Sequence, residues 1–186
     1  PRPKCFDYPW TGLNDITAGW RLGELVMIGA GTGIGKTLFM THVANKVLQD
    51  TDFNIGVLFL EDPNIDAARR FVAVRGQVPY HLPKTVYDEA EFRKVSNEVL
   101  GNDRIIFYNN DQFAANSKDE VLSKIKMMVR VHNCKIFFLD HITFITSATA
   151  EGDERRSIDE MMTEIKALTV NEGINIHAVS HFKRLS

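Results

Sequence analysis

The stretch Ala30-Gly31-Thr32-Gly33-Ile34-Gly35-Lys36-Thr37 constrains this chain more than any other. It follows the spacing G-x-x-x-x-G-K-[ST], with Ala30 in place of the first glycine. Such a loop turns successive backbone N–H groups toward one point, where phosphate oxygens can be bound. Gly31, Gly33 and Gly35 permit that backbone path and a close approach of the ligand. A helix beginning at Lys36 aims its positive end at the anion. The spacing predicts that Lys36 reaches the β- and γ-phosphates and that the Thr37 hydroxyl ligates Mg²⁺, so the cofactor is Mg²⁺ with ATP or another NTP or dNTP. A small side chain at Ala30 is tolerated if its backbone avoids the left-handed region. The bland alternative is a flexible glycine linker. The order strand, loop, helix argues against it.

The flanking sequence supplies that order. Apolar runs at Leu25–Gly29, Ile55–Leu60, Ile105–Tyr108, Ile136–Asp140 and Ile174–Ser180 read as buried strands. Helical patterns lie between them. Thr37–Gln49 follows the glycine loop. Ser117-Lys118-Asp119-Glu120 forms a capping box opening a helix that buries Val121, Leu122, Ile125, Met128 and Val129. Arg155–Asn171 presents Ile158, Met161, Met162, Ile165 and Leu168 at helical spacing and stops at Gly173. The fold class is therefore α/β, a mostly parallel sheet with helices on both faces. A length of 186 residues suits one such domain. Ligands of these sheets sit at the carboxyl ends of the strands, so the residues just past each strand matter most.

Two strands end in acids. Ile136-Phe137-Phe138-Leu139-Asp140 places a carboxylate where it can hold Mg²⁺ beside Thr37. Val57-Leu58-Phe59-Leu60 leads into Glu61-Asp62. Glu61 could orient or deprotonate an attacking water. It could equally, with Asp62, start a helix running from about Asn64, where acids favour the dipole. Asp62, just before Pro63, suits that capping role better. His181 ends the last strand and could sense a γ-phosphate, or be an ordinary surface histidine. Lys183 and Arg184 follow it.

Other chemistry is poorly supported. Net charge is −2, from 22 basic and 24 acidic residues, which gives no broad basic face for nucleic acid. Any DNA contact must come from a few loop residues, multiplied by assembly. Cys5 and Cys134 lack CxxC spacing and read as reduced thiols. His42, His81, His132, His141 and His177 show no metal-ligand spacing. No apolar run approaches the roughly 20 residues of a membrane helix. The Glu151–Arg156 charge cluster reads as a solvated loop, or as a segment facing a channel or a neighbouring subunit. Trp10 and Trp20 read as packing or interface residues.

Taken together, these motifs resemble the RecA-like hexameric replicative DNA helicases of the DnaB superfamily, nearest to the helicase half of phage primase-helicases, with mitochondrial Twinkle related. The resemblance runs across nearly the whole chain. Thr11-Gly12-Leu13-Asn14-Asp15, Gly19 and Gly23-Glu24 resemble the family's lead-in to the phosphate loop. Leu60-Glu61 is similar to the motif carrying its catalytic glutamate. Leu139-Asp140-His141-Ile142 with Gly152-Asp153-Glu154-Arg155-Arg156-Ser157-Ile158-Asp159 resembles the phage Walker B region. Ser180-His181-Phe182-Lys183 is similar to the phage γ-phosphate sensor.

The resemblance implies a RecA-like P-loop NTPase in which Lys36 and Thr37 bind nucleotide and Mg²⁺. It also implies that Asp140 is the Walker B acid, that Glu61 activates water and that His181 senses phosphate. It implies single-stranded DNA as substrate, a homo-hexameric ring, and a primase domain or protein and a DNA polymerase as further partners. It implies a cytoplasmic setting (that of the host if phage-encoded), with the mitochondrial matrix as the alternative. The family's core continues past the sensor strand with a DNA-binding loop, further strands and an arginine finger. Residues 1–186, ending five residues past His181, are thus expected to form one RecA-like domain incomplete at its C-terminus. A RecA-type recombinase or another DNA-dependent P-loop ATPase would share the loop, the acid and the sheet. A non-motor nucleotide switch would have less need of Glu61.

Overall fold

A computed structural model describes residues 4–31, 33–60, 62–82, 84–108, 118–140, 142 and 154–181. Its frame is a sheet of five parallel strands: β1 (Leu25–Ala30), β2 (Asn54–Phe59), β3 (Ile105–Phe107), β4 (Cys134–Asp140) and β5 (Asn175–His181). Their spatial order is β1-β5-β4-β2-β3. All five strand predictions hold to within about two residues at each end. The reason is burial on both faces: Ile136, Phe137, Phe138 and Leu139 of β4 are all wholly inaccessible, so the strand is apolar without alternation.

The helices divide cleanly between the faces. On one face lie α2 (Lys36–Asp50), α3 (Asn64–Gly76) and α4 (Glu89–Leu100), sharing a core with Ile55, Val57, Phe59, Ile136, Phe138 and Val179. On the other lie α5 (Lys118–His132) and α6 (Glu154–Glu172), sharing a core with Leu58, Phe137, Leu139, Ile176 and Ala178. The chain crosses the sheet outward under α2, α3 and α4, then returns under α5 and α6. β5 and β4 are therefore inserted between β1 and β2. The spacing read for α5 and α6 is observed: Val121, Leu122, Ile125 and Met128 are buried in one, Met161, Ile165 and Leu168 in the other. Val129 and Met162 are partly buried against the same core. Ser117, the first residue of the expected capping box, lies outside the described residues. Gly173 ends α6 with φ of 60°.

A short helix, α1 (Thr11–Thr17), and α4 were not anticipated. Asp88 caps α4, its carboxylate accepting from the amides of Ala90 and Glu91 at 2.7 and 3.0 Å. α1 belongs to an N-terminal strap in which Phe6 and Trp20 pair antiparallel and stack at 4.7 Å. Gly19 turns with φ of 69°, and any Cβ there would collide with the Phe6 carbonyl. Trp20 is a core residue at 1% exposure, while Trp10 stacks on Phe39 at 4.9 Å.

Two further contacts brace the frame. Arg104, just before β3, donates to the carbonyls of Leu48, Thr51 and Phe53 at 3.0, 2.5 and 2.8 Å, tying the end of α2 to the start of β2. Gly23, before β1, accepts from Lys166 Nζ and Thr169 Oγ1 of α6 at 2.8 and 3.2 Å. Burial pushes the Cys134 thiol up to about 12, which keeps it protonated.

His177 in the middle of β5 is fully buried, stacked on Phe138 at 5.4 Å and edge-on to Tyr8 and Trp20. Neither ring nitrogen has a hydrogen-bond partner among the described residues. Desolvation lowers its pKa from 6.5 to about 3, so the folded ring stays neutral. Below pH 6.5 the unfolded chain takes up a proton that the folded chain refuses, so this site removes stability as pH falls from 6.5 toward 3. His177→Leu, close in volume and without polar atoms, is expected to match or exceed the parent in stability at neutral pH by about 1 kcal/mol. It should also flatten the acid limb of a plot of melting temperature against pH. An unchanged acid limb would show that His177 is not its source.

Candidate active site

The carboxyl ends of β1, β5, β4 and β2 lie along one edge of the sheet, because all the strands are parallel. β1 ends at Ala30, and its Cα partner across the ladder is His181, the last residue of β5. β4 ends at Asp140, whose Cα partner is Phe59, the last residue of β2. The Leu60 amide then donates to the Asp140 carbonyl at 2.8 Å, so the β2 and β4 tips are level. Four strand ends suspected from the sequence thus share one edge.

The glycine loop rises from Ala30 and passes into α2 at Lys36. Gly33 and Gly35 hold φ of 79° and 90°, in the left-handed region where a Cβ is strained. Gly35 is the N-cap of α2 and contributes no side chain, so the first amides of the helix face outward from the loop. Among the described residues, chain neighbours aside, no atom lies within 4 Å of a Cβ built on Gly31, Gly33 or Gly35. Space around the loop is therefore open, and glycine is needed for the backbone path alone at 33 and 35. Thr32 lies outside the described residues, and Ile34 is exposed.

Lys36 is 8% exposed and donates its ammonium to the Gly31 carbonyl at 2.5 Å. The side chain folds back over its own loop, and a phosphate oxygen there would be a stronger acceptor than the peptide carbonyl. Thr37 donates its hydroxyl to the Asp140 carboxylate, joining the start of α2 to the end of β4. Asp140 is also 8% exposed. A hydroxyl and a carboxylate side by side are hard oxygen donors of the kind Mg²⁺ takes while keeping several waters. The donor set fits that ion.

Glu61 lies outside the described residues. Its neighbours are described: Leu60 is bonded to the β4 tip as above, and Asp62 pairs with Arg70 of α3. Asp62 does not cap α3 as its position suggested. The N-cap is Pro63, with no side-chain cap bond, and both Asp62 oxygens accept from the Arg70 guanidinium, Nη1 to Oδ2 and Nη2 to Oδ1, the latter at 3.2 Å. That hydrogen bonding raises the Arg70 pKa, partial burial opposes it, and the charges of Asp62, Asp66 and Asp140 add to the rise. Arg70 was not singled out from the sequence. Its partner lies eight residues earlier, outside the three- and four-residue spacings that a helical pattern exposes.

Among the described residues no cluster of three or more His, Cys, Asp or Glu side chains could hold a metal ion, and no helix is long and apolar enough to cross a membrane.

Known proteins resemble this chain in sequence and in fold. The sequence model of the DnaB-like helicase C-terminal domain matches residues 8–186. The DNA helicase/primase of Enterobacteria phage T3 is 31% identical over 176 residues, covering 92% of this chain and 31% of that protein. The replicative DNA helicase DnaC of Bacillus subtilis is 21% identical over 179 residues, covering 94% of this chain and 39% of that protein. The chain therefore spans 31% to 39% of the length of these relatives. Among solved structures, a DnaB-like replicative helicase solved for its interactions with primase superposes with a TM-score of 0.79 at 18% identity, over 99% of this chain and 46% of that one. A KaiC-like protein from Pyrococcus horikoshii superposes at 0.64 and 21% identity, over 97% and 71%. The fold is the RecA-like one expected, a sheet that a KaiC-like protein shares.

Gly35→Ala places a Cβ in open space but on a left-handed backbone. It is expected to lower the unfolding free energy by about 1–2 kcal/mol in denaturant titrations, through backbone strain alone. A variant as stable as the parent would mean that the loop readily takes another path.

Proposed function

The chain belongs to the family of DnaB-like helicase C-terminal domains, and on that premise we propose that it is the NTP-hydrolysing motor of a replicative DNA helicase, translocating on single-stranded DNA and unwinding duplex DNA. The observation that carries this reading is the contact of Thr37 with Asp140, next to a buried Lys36. It brings the two oxygen donors expected to hold Mg²⁺ to the mouth of the phosphate loop. A bound Mg²⁺ would supply charge neutralisation between the β- and γ-phosphate oxygens.

Residues 30–37, Thr32 included, cradle the triphosphate with backbone amides, and the α2 N-terminus adds its partial positive charge. Lys36 transfers its ammonium from the Gly31 carbonyl to a phosphate oxygen. Glu61 orients and deprotonates the attacking water, and His181, at the tip of the strand between β1 and β4, reports the presence of the γ-phosphate to the segment that follows. Lys36, Glu61 and His181 are the catalytic set in this reading, and Thr37 and Asp140 the metal ligands. The level β2 and β4 tips support the role of Glu61, since its neighbour Leu60 is bonded to Asp140. The pairing of Ala30 with His181 supports a sensor beside the phosphate loop.

The near-neutral charge of −2 favours a ring in which a few loop contacts per subunit are repeated around one DNA strand. A homo-hexamer is the assembly proposed, with primase and DNA polymerase as replication partners. The helicase/primase relative and the DnaB-like helicase solved for its interactions with primase support that partnership. A cytoplasmic setting follows from the same role.

Several measurements test the reading in the full chain. Glu61→Gln is expected to lower nucleotide turnover by at least about a hundredfold while nucleotide still binds, whereas Lys36→Ala should lose binding itself. Turnover that survives Glu61→Gln would remove Glu61 from the mechanism. Single-stranded DNA should stimulate hydrolysis, and electron microscopy with nucleotide should show closed rings. Open filaments would favour a recombinase, and DNA-independent turnover a switch.

A further inference from the structure

Resting on the role of Glu61 proposed above, we infer that Arg70 is a positioning residue for water activation, acting through Asp62 to hold the β2–α3 segment that carries Glu61. Glu61 stands between two anchored neighbours. On one side, the Leu60 amide is bonded to the Asp140 carbonyl at 2.8 Å. On the other, Asp62 is gripped by both terminal nitrogens of the Arg70 guanidinium. Pro63 follows with φ of −58°, which narrows the backbone freedom of the junction into α3. A two-point guanidinium–carboxylate contact sets orientation as well as distance, which a lysine cannot do.

Arg70 is itself well founded. The next residue, Phe71, is fully buried, and its carbonyl accepts from Asn45 Nδ2 of α2 at 3.4 Å. Asn45 Nδ2 also donates to the Thr41 carbonyl, and Thr41 Oγ1 to the Thr37 carbonyl. A continuous set of contacts thus joins the Thr37 end of the phosphate-loop helix to the anchor of Glu61, with no step through the nucleotide. Such a link ties the phosphate-loop helix to the Asp62–Arg70 pair from within the protein.

The Asp62 and Arg70 side chains are 28% and 24% exposed, so the pair is partly buried and its loss also costs some stability. The same contact can matter far more to geometry, because a misplacement of about 1 Å at a reacting centre costs about a hundredfold in rate.

The test uses the full chain, assembled and assayed with saturating single-stranded DNA. Arg70→Ala is expected to lower kcat by about tenfold to a hundredfold with the nucleotide KM within about twofold of the parent, at a temperature where the variant remains folded. Asp62→Asn should reproduce that loss. The double variant should be no slower than the worse single one, since both changes break one contact. If Arg70→Ala does not fold, Arg70→Lys carries the same expectation, because it keeps the charge and loses the fork. An unchanged kcat, a raised KM at constant kcat, or additive losses in the double variant would each overturn the inference. Glu61→Gln, run alongside, separates the two claims. If it is inactive while Arg70→Ala is normal, only the positioning role falls. If it turns over normally, the Glu61 assignment falls and the positioning role with it.

Discussion

The hydroxyl of Thr37 and the carboxylate of Asp140 meet across the greater part of the chain, and the site depends on that meeting. Thr37 is placed by the glycine loop and the first turn of α2, Asp140 by an apolar strand that can exist only in the middle of a sheet. They come together because β5 is inserted between β1 and β4, leaving a crevice at the carboxyl edge where a helix N-terminus and an acid face one space. A carboxylate held at 8% exposure is costly to leave without charge-stabilising partners, and the hydroxyl is one of them. The same contacts that stabilise the fold thus hold these two oxygen donors side by side.

Most of this frame was legible in the sequence because its physics is local or nearly so. The glycine loop is read from spacing, since positive φ at Gly33 and Gly35 admits few other residues. The five strands are read from continuous apolar runs, and α5 and α6 from periodic ones. α4 is different: Phe92, Val95 and Val99 stand at helical spacing behind the Asp88 cap, a pattern that was readable and went unread. The strap from Phe6 to Trp20 escaped because its reason is tertiary: it covers one side of His177 with Tyr8 and Trp20.

The polar pairings were hardest to foresee. Asp62 suits a cap, yet it turns to Arg70 because α3 presents that guanidinium two turns on, and a charged fork is a better donor than a backbone amide. His177 carried no sign of its setting beyond sitting inside an apolar run. Glu61 and His181 were read from strand tips and from resemblance, and the registers Phe59 with Asp140 and Ala30 with His181 are what support the reading. Fold similarity alone would not distinguish a helicase motor from a KaiC-like protein, since both are built on this sheet. The extended match to one family is what separates them.

The guanidinium of Arg104 has a mechanical consequence. By bonding three carbonyls where α2 ends and β2 begins, it welds the tail of that helix to the sheet at the end away from the phosphate loop. In the motor proposed above, displacement would then have to come from elements other than α2.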